Sequence, residues 1–213
     1  MSVESYIPKN TYLIYILAVG TEEGYVCIFD VVPDGLNFDK ILDKQEGRVL
    51  TLDWHVDGFH IVTGSTDTIR VWNVESGHPV QRMSTGRAEH NLETTVWSIL
   101  MLKDFTVVSG DSRGKTSFWN GQNGTLLDSY QSHKADILCV TTTSDEKVVY
   151  ASGVDPSIAH FQPITKNTRT RWVKSISRYS FTYTVWHPNC LHLCFVFIAK
   201  GVTIWVPHSV RCQ

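Results

Sequence analysis

The chain has 213 residues, a mass of 24.1 kDa and a formal net charge of −2, which suits one ordinary domain or two small ones. Apolar types make up 42% of it and charged types 19%, so a packed core is expected and wholesale disorder is excluded. Valine and threonine number 24 and 21 against 6 alanines, a β-branched bias that favours strands and rules out an all-helical protein. No apolar run reaches the roughly 18 residues of a membrane-spanning helix, so no membrane partner is expected.

Taken in order, residues 1–16 read as an atypical N-terminal segment. Glu4 and Lys9 precede the apolar stretch from Tyr12 to Val19, and this start lacks the positive region of a secretory signal. From Leu17 the chain repeats itself. The four similar stretches are LAVGTEEGYVCIFDV from Leu17, HIVTGSTDTIRVWNV from His60, TVVSGDSRGKTSFWN from Thr106 and VYASGVDPSIAHFQP from Val149. Each is an apolar strand ending at a glycine (Gly20, Gly64, Gly110, Gly153), a polar turn, and a second strand closed by an aromatic-polar pair. The closing aromatics Phe29, Trp72, Trp119 and Phe161 are 43, 47 and 42 residues apart. A four-stranded propeller blade has a period of about 40–45 residues.

The other strands of each unit can be placed as well. VLTLDWHVDG from Val49, TTVWSILML from Thr94 and DILCVTTTSDE from Asp136 precede the second, third and fourth units. GHPVQRM from Gly77 and NGTLLDSY from Asn123 follow two of the aromatics as a turn and an outer strand. Asn123-Gly124-Thr125 matches a glycosylation acceptor, yet Asn-Gly is first a turn dipeptide and is read so here. Non-alternating apolar runs such as Val107-Val108 and Val148-Val149 predict strands covered on both faces, as stacked blades require.

This grammar resembles the WD40-repeat family of β-propellers from about Leu17 to Pro163. More narrowly, the wording is similar to the cirhin-like family of small-nucleolar-RNA-associated WD-repeat proteins. The residues carrying that likeness are Ile28-Phe29-Asp30-Val31 through Arg48-Val49-Leu50-Thr51-Leu52-Asp53-Trp54-His55, then Val71 to Gly77, Val108 to Lys115, Phe118-Trp119 with Gly124 to Leu127, and Arg171-Trp172-Val173. The resemblance implies an all-β protein, a β-propeller with about four blades present, partial or open. It divides the chain into WD40 blades over 17–165, a basic arm and the start of a further blade over 166–187, and an atypical tail over 188–213. Family members are longer and carry two propellers, so the chain reads as part of a first propeller whose unpaired edges favour aggregation.

Many WD blades tie strand and turn together with a buried His, Ser or Thr, Asp and Trp. Here Thr63, Asp67 and Trp72 supply three members in one blade, while the preceding Glu46-Gly47-Arg48 offers no His. Ser109 and Trp119 remain in the next, with Arg113 at the Asp position; His133, Ser152 and Asp155 are present in the last, where Phe161 brings no N–H donor. Each blade is thus expected to give up a hydrogen bond or two, at about 0.5–1.5 kcal/mol apiece.

Chemistry is sparse. There is no G-x-S-x-G elbow, phosphate loop or H-E-x-x-H, so no catalytic residue, cofactor or small-molecule substrate is expected. Asp53, Asp57 and Glu22-Glu23 fit strand and turn positions as exposed carboxylates. Cys27, Cys139, Cys190, Cys194 and Cys212 form an odd, scattered set that points to a reducing compartment. Cys190-x-His192-x-Cys194, with His187, His208 and Cys212 nearby, could converge on zinc, but an apolar strand is the better reading and no metal is expected.

Charge is more informative. All 21 acidic residues lie at or before Asp155 with 12 basic ones, and the remainder carries seven cations and no acid. Within it Lys166, Arg169, Arg171, Lys174 and Arg178 interleave with Trp172 and Tyr179, as on a surface that neutralises phosphates and stacks on bases. The competing reading is an inter-blade loop whose Trp172 packs into a blade. The resemblance implies a non-catalytic scaffold in the nucleus and nucleolus, within the small-subunit processome, supporting pre-ribosomal RNA processing, with other processome proteins and pre-ribosomal RNA as partners. The alternative is a substrate adaptor of a cullin-type ubiquitin ligase. Against it, the stretches Trp72-Asn73-Val74-Glu75 and Trp119-Asn120-Gly121-Gln122 lack the arginine of a Trp-Asp-x-Arg box.

Overall fold

A computed structural model describes residues 3–9, 14–86, 92–166, 169–178, 196–199 and 202–205, with side chains over 15–86, 92–164 and 171–175. The strands follow the repeat. A first sheet holds β1 (Val3–Lys9), β2 (Ile14–Gly20), β3 (Val26–Val32) and β4 (Gly35–Ile41); a second holds β5 (Thr51–Trp54), β6 (His60–Gly64), β7 (Thr68–Asn73) and β8 (Pro79–Ser84). The third is β9 (Val96–Met101), β10 (Thr106–Asp111), β11 (Lys115–Asn120) and β12 (Leu126–Gln131). The fourth is β13 (Ile137–Thr142), β14 (Val149–Gly153), β15 (Ser157–Lys166) and β16 (Arg169–Arg178). Strands pair antiparallel in chain order in every sheet, and β17 (Val196–Ala199) with β18 (Val202–Trp205) makes a separate hairpin. The described residues contain no helix long and apolar enough to cross a membrane.

Neighbouring sheets meet through their first strands, β1 on β5, β5 on β9 and β9 on β13, as blades of a partial β-propeller do. Three cores fill the three gaps. Ala18, Val26 and Ile28 pack against Leu52, Ile61 and Trp72; Val62, Val71 and Met83 against Val96, Val107 and Trp119; Val108 and Phe118 against Ile137, Ala151, Phe161 and Trp172. Adjacent residues therefore serve opposite interfaces. Val107 faces the second sheet and Val108 the fourth, and both are fully buried. That is why these strands read as unbroken apolar runs.

The repeated glycines act by close approach. A Cβ at Gly64 would lie 2.7 Å from Val96 and one at Gly110 2.5 Å from Ile137; at Gly20 it would collide with Val49. Each of these partners opens the next blade, so the missing side chain sets how closely blades stack. A second regularity is visible in register. The third and fourth strands slip just before the closing aromatic, at Ile28/Phe29, Val71/Trp72 and Phe118/Trp119. The fourth sheet breaks the rule, with β15 and β16 paired without interruption from Ser157↔Arg178 to Lys166↔Arg169. Pro163 fits inside β15 because β14 pairs only as far as Phe161, leaving its absent N–H no ladder partner to fail.

Two placements differ from the sequence reading. Val3–Lys9 pairs with Ile14–Gly20 as the first strand of the first sheet, although 1–16 reads as standing apart. Arg169–Arg178, read as a basic arm beyond the blades, is the fourth strand of the fourth sheet, and the further blade expected to start within 166–187 has its later part outside the described residues.

Candidate functional site

The basic segment runs from the end of β15 into β16 of a long hairpin, so the residues expected to bind RNA are held at fixed register. Lys166 pairs with Arg169, Arg171 with Ile164, Lys174 with Phe161 and Arg178 with Ser157. Arg171 is exposed, its side chain 75% accessible, and its Nε lies 3.5 Å from Asp128 Oδ1 on β12. Lys174 is half-buried; its Nζ donates to the Gln131 carbonyl, and burial lowers its pKa. Side chains of Lys166, Arg169 and Arg178 fall outside the described set, as do Tyr179 and the Cys190-His192-Cys194 cluster.

Trp172 follows the competing sequence reading, packing into a blade and not serving as a base-stacking platform. It is 5% exposed and lies in the core between the third and fourth sheets, stacked on Phe118 at 4.7 Å with planes 16° apart. Its carbonyl accepts from the Tyr130 hydroxyl, and its N–H donates to Asp128 Oδ2 at 3.2 Å. An indole packed between blades offers no face to a nucleobase.

The blade polar residues are largely brought together, with one partner that sequence reasoning missed. Trp72 Nε1 donates to Thr63 Oγ1 at 2.9 Å, and that hydroxyl donates to Gln45 Oε1 at 2.8 Å. Gln45 is 2% exposed and takes the role assigned to an absent histidine, so this blade does not lose the bond. It sits one position before Glu46-Gly47-Arg48, and a glutamine in that loop was the available signal. Asp67 serves elsewhere. Its Oδ1 accepts the Thr94 N–H at 2.7 Å, fastening the second sheet's turn to the segment that enters the third.

In the third sheet Trp119 Nε1 donates to Ser109 Oγ at 3.0 Å. The turn carboxylate is Asp111, which accepts from Arg113 and Lys115 N–H at 2.9 Å each, while the Arg113 guanidinium donates to the Thr85 and Gly86 carbonyls. Arg113 stands where Asp67 stands in the second sheet, and Asp111, two residues earlier, supplies this turn's carboxylate. In the fourth sheet His133 Nε2 donates to the Ser157 carbonyl at 3.1 Å and lies 3.6 Å from Asp155 Oδ1. Ser152 is buried on β14, and Phe161 fills the core against Phe118 at 5.2 Å without a donor.

Further polar bonds cross between blades. Asp53 Oδ2 on β5 accepts the Met101 N–H on β9 at 2.7 Å, and Ser98 Oγ accepts the Val140 N–H at 3.0 Å. Burial pushes the Asp53 carboxyl up to about 7, against the pull of the Met101 and Trp54 N–H groups. Cys27 and Cys139 are free thiols, and burial pushes Cys139 up to about 12.

The WD domain, G-beta repeat family matches residues 38–73, the stretch running from β4 through the closing Trp72 and Asn73. The chain carries WD40 repeats. The WD40 chain is 35% identical to the human U3 small nucleolar RNA-associated protein 4 homolog over 165 residues, 75% of this chain and 24% of that one. With U3 small nucleolar RNA-associated protein 4 of Saccharomyces cerevisiae it shares 35% identity over 205 residues, 92% of this chain and 26% of the relative. The Schizosaccharomyces pombe protein of the same name is 32% identical over 195 residues, 89% and 26% respectively. The chain thus spans about a quarter of the length of these curated relatives.

Proposed function

We propose that this WD40 chain is a non-catalytic scaffold of the nucleolar small-subunit processome that supports pre-ribosomal RNA processing and small-subunit biogenesis. The observation that carries the reading is 35% identity across 92% of the chain to a U3 small nucleolar RNA-associated protein. Rigid blades suit the role, since their turns and outer strands present several binding edges at once. Its partners are other processome proteins, with pre-ribosomal RNA or its ribonucleoprotein reached through the cationic strand β16. There Arg171 is exposed, and Arg169, Lys174, Lys166 and Arg178 share the same hairpin. Trp172 contributes by fixing the strand, not by stacking.

Affinity purification from cells followed by mass spectrometry tests the assignment. Ribosome-biogenesis factors are the expected co-purifying set, and cullin-ligase subunits in their place would overturn it. For the RNA edge, changing Arg169, Arg171 and Lys174 to Ala should weaken RNA retention and flatten its salt dependence. Retention and salt slope equal to wild type would remove β16 from the RNA surface.

A further inference from the structure

The turn joining β5 to β6 gathers three side chains that the scaffold role does not use. Nδ1 of His60 lies 2.7 Å from Asp57 Oδ2, and Nδ1 of His55 lies 2.9 Å from the same oxygen. One ligand atom from each residue lies within 4.8 Å of the other two. Asp57 does close the turn, as its sequence position suggests: Oδ1 accepts the Phe59 and His60 N–H groups at 2.8 and 3.1 Å. That leaves Oδ2 to the imidazoles.

Proton counting shows what the arrangement lacks. His55 Nε2 lies 3.2 Å from the Lys103 carbonyl, which can only accept, so Nε2 carries the hydrogen. In neutral His55 the Nδ1 is then bare, and it faces the Asp57 N–H at 3.3 Å. A bare nitrogen 2.9 Å from a carboxylate oxygen sets two lone pairs against each other. A positive charge between them, proton or metal ion, removes the conflict. Donation of the far ring N–H to a backbone carbonyl is also how proteins orient a metal-bound histidine.

The surroundings hold the rings in place. Phe105, from the neighbouring sheet's first turn, packs on His55 at 3.9 Å and meets His60 edge-on at 5.3 Å. It does so at a φ of 63°, a conformation unusual for a bulky residue. Burial raises the Asp57 carboxyl, but the Phe59 N–H and both imidazoles outweigh it and hold the group below its ordinary value.

We propose that His55, Asp57 and His60 form a binding site for one divalent transition-metal ion of the zinc class, held by His55 Nδ1, His60 Nδ1 and Asp57 Oδ2. Two imidazoles and a carboxylate are ligands that zinc accepts, with a fourth position left for water. Zinc bonds of about 2.0–2.2 Å set ligand atoms about 3.4 Å apart in a tetrahedron, so entry of the ion opens the two nitrogen–oxygen separations by less than about 1 Å. The side chains of Asp57 and His60 are 28% and 23% accessible, which gives the ion a route from solvent, and that of His55 is 4% accessible and anchors the site. Because Lys103 and Phe105 belong to the third sheet's turn, the loaded site would clamp two blades together.

The test titrates the purified full chain with Zn²⁺, and with Co²⁺ as a spectroscopic probe, in metal-buffered solution. Wild type, His60→Gln, Asp57→Asn and a Cys190→Ser/Cys194→Ser double variant are compared, with circular dichroism confirming the fold of each. One equivalent is expected to bind in wild type, with no thiolate-to-cobalt charge-transfer band. Affinity should fall at least about tenfold in His60→Gln and in Asp57→Asn, and stay unchanged in the cysteine variant. Absence of stoichiometric binding, binding that survives both His60→Gln and Asp57→Asn, or binding lost with the cysteines would overturn the site.

Discussion

Replacing Gln45 by leucine isolates one buried acceptor at nearly constant volume. Thr63 then keeps the Trp72 N–H at 2.9 Å but loses its own acceptor, now 2.8 Å away. An unsatisfied buried polar group costs about 1–3 kcal/mol, so Gln45→Leu should destabilise by that amount. Thr63→Val strands two groups, the Trp72 N–H and the Gln45 carbonyl, and should cost about 2–6 kcal/mol by the same reckoning. The double variant strands only the Trp72 N–H. Its loss should therefore fall short of the summed single losses by about 2 kcal/mol or more, the worth of two stranded groups and the coupling expected of one network. Urea unfolding followed by tryptophan fluorescence and circular dichroism measures all three. Additivity within about 0.5 kcal/mol would refute the claim that Gln45 serves as the blade's third polar member.

Two further outcomes follow from the same structure. Trp172→Ala empties the core between the third and fourth sheets and should cost about 3–5 kcal/mol in denaturant unfolding, whereas Arg171→Ala, at an exposed pair, should change stability by less than about 1 kcal/mol; equal effects would place Trp172 outside the core. Burial raises the Asp111 carboxyl above its ordinary 3.8, so the folded state holds that proton more tightly than the unfolded chain does. The resulting stabilisation is complete below about pH 4 and is lost as pH rises through the folded value. Asp111→Asn keeps the acceptor for the Arg113 and Lys115 N–H groups, so subtracting its stability-against-pH curve from that of wild type should leave a fall with rising pH. A flat or rising difference would contradict the sign.

The repeat, the four pairs of apolar and aromatic-closed strands, and the glycine at the end of each second strand were all legible in the chain. They follow from local periodicity and from a spacing that recurs. Even Val107-Val108 carried its message, since a residue pair buried on both faces needs a neighbour on each side. The blade polar set was half legible. Thr63, Trp72, Ser109 and Trp119 were found because they belong to the repeated strand pair, while Gln45 was missed because its role depends on a loop folding back across 18 residues.

Charge asymmetry marked the basic strand from composition alone, because net charge needs no coordinates. Which of its members meets solvent did not follow from sequence. A tryptophan between two cations reads either as a stacking surface or as core, and alternation across β16 together with the open slot beside Phe118 sent Trp172 inward. Likewise His55, Asp57 and His60 are an ordinary turn on paper. Only the backbone reversal after β5, and the Lys103 carbonyl delivered by another blade, aim two ring nitrogens at one carboxylate oxygen. Local pattern thus decided the strands and their order, whereas long-range packing between blades decided which side chains became core, bond or site.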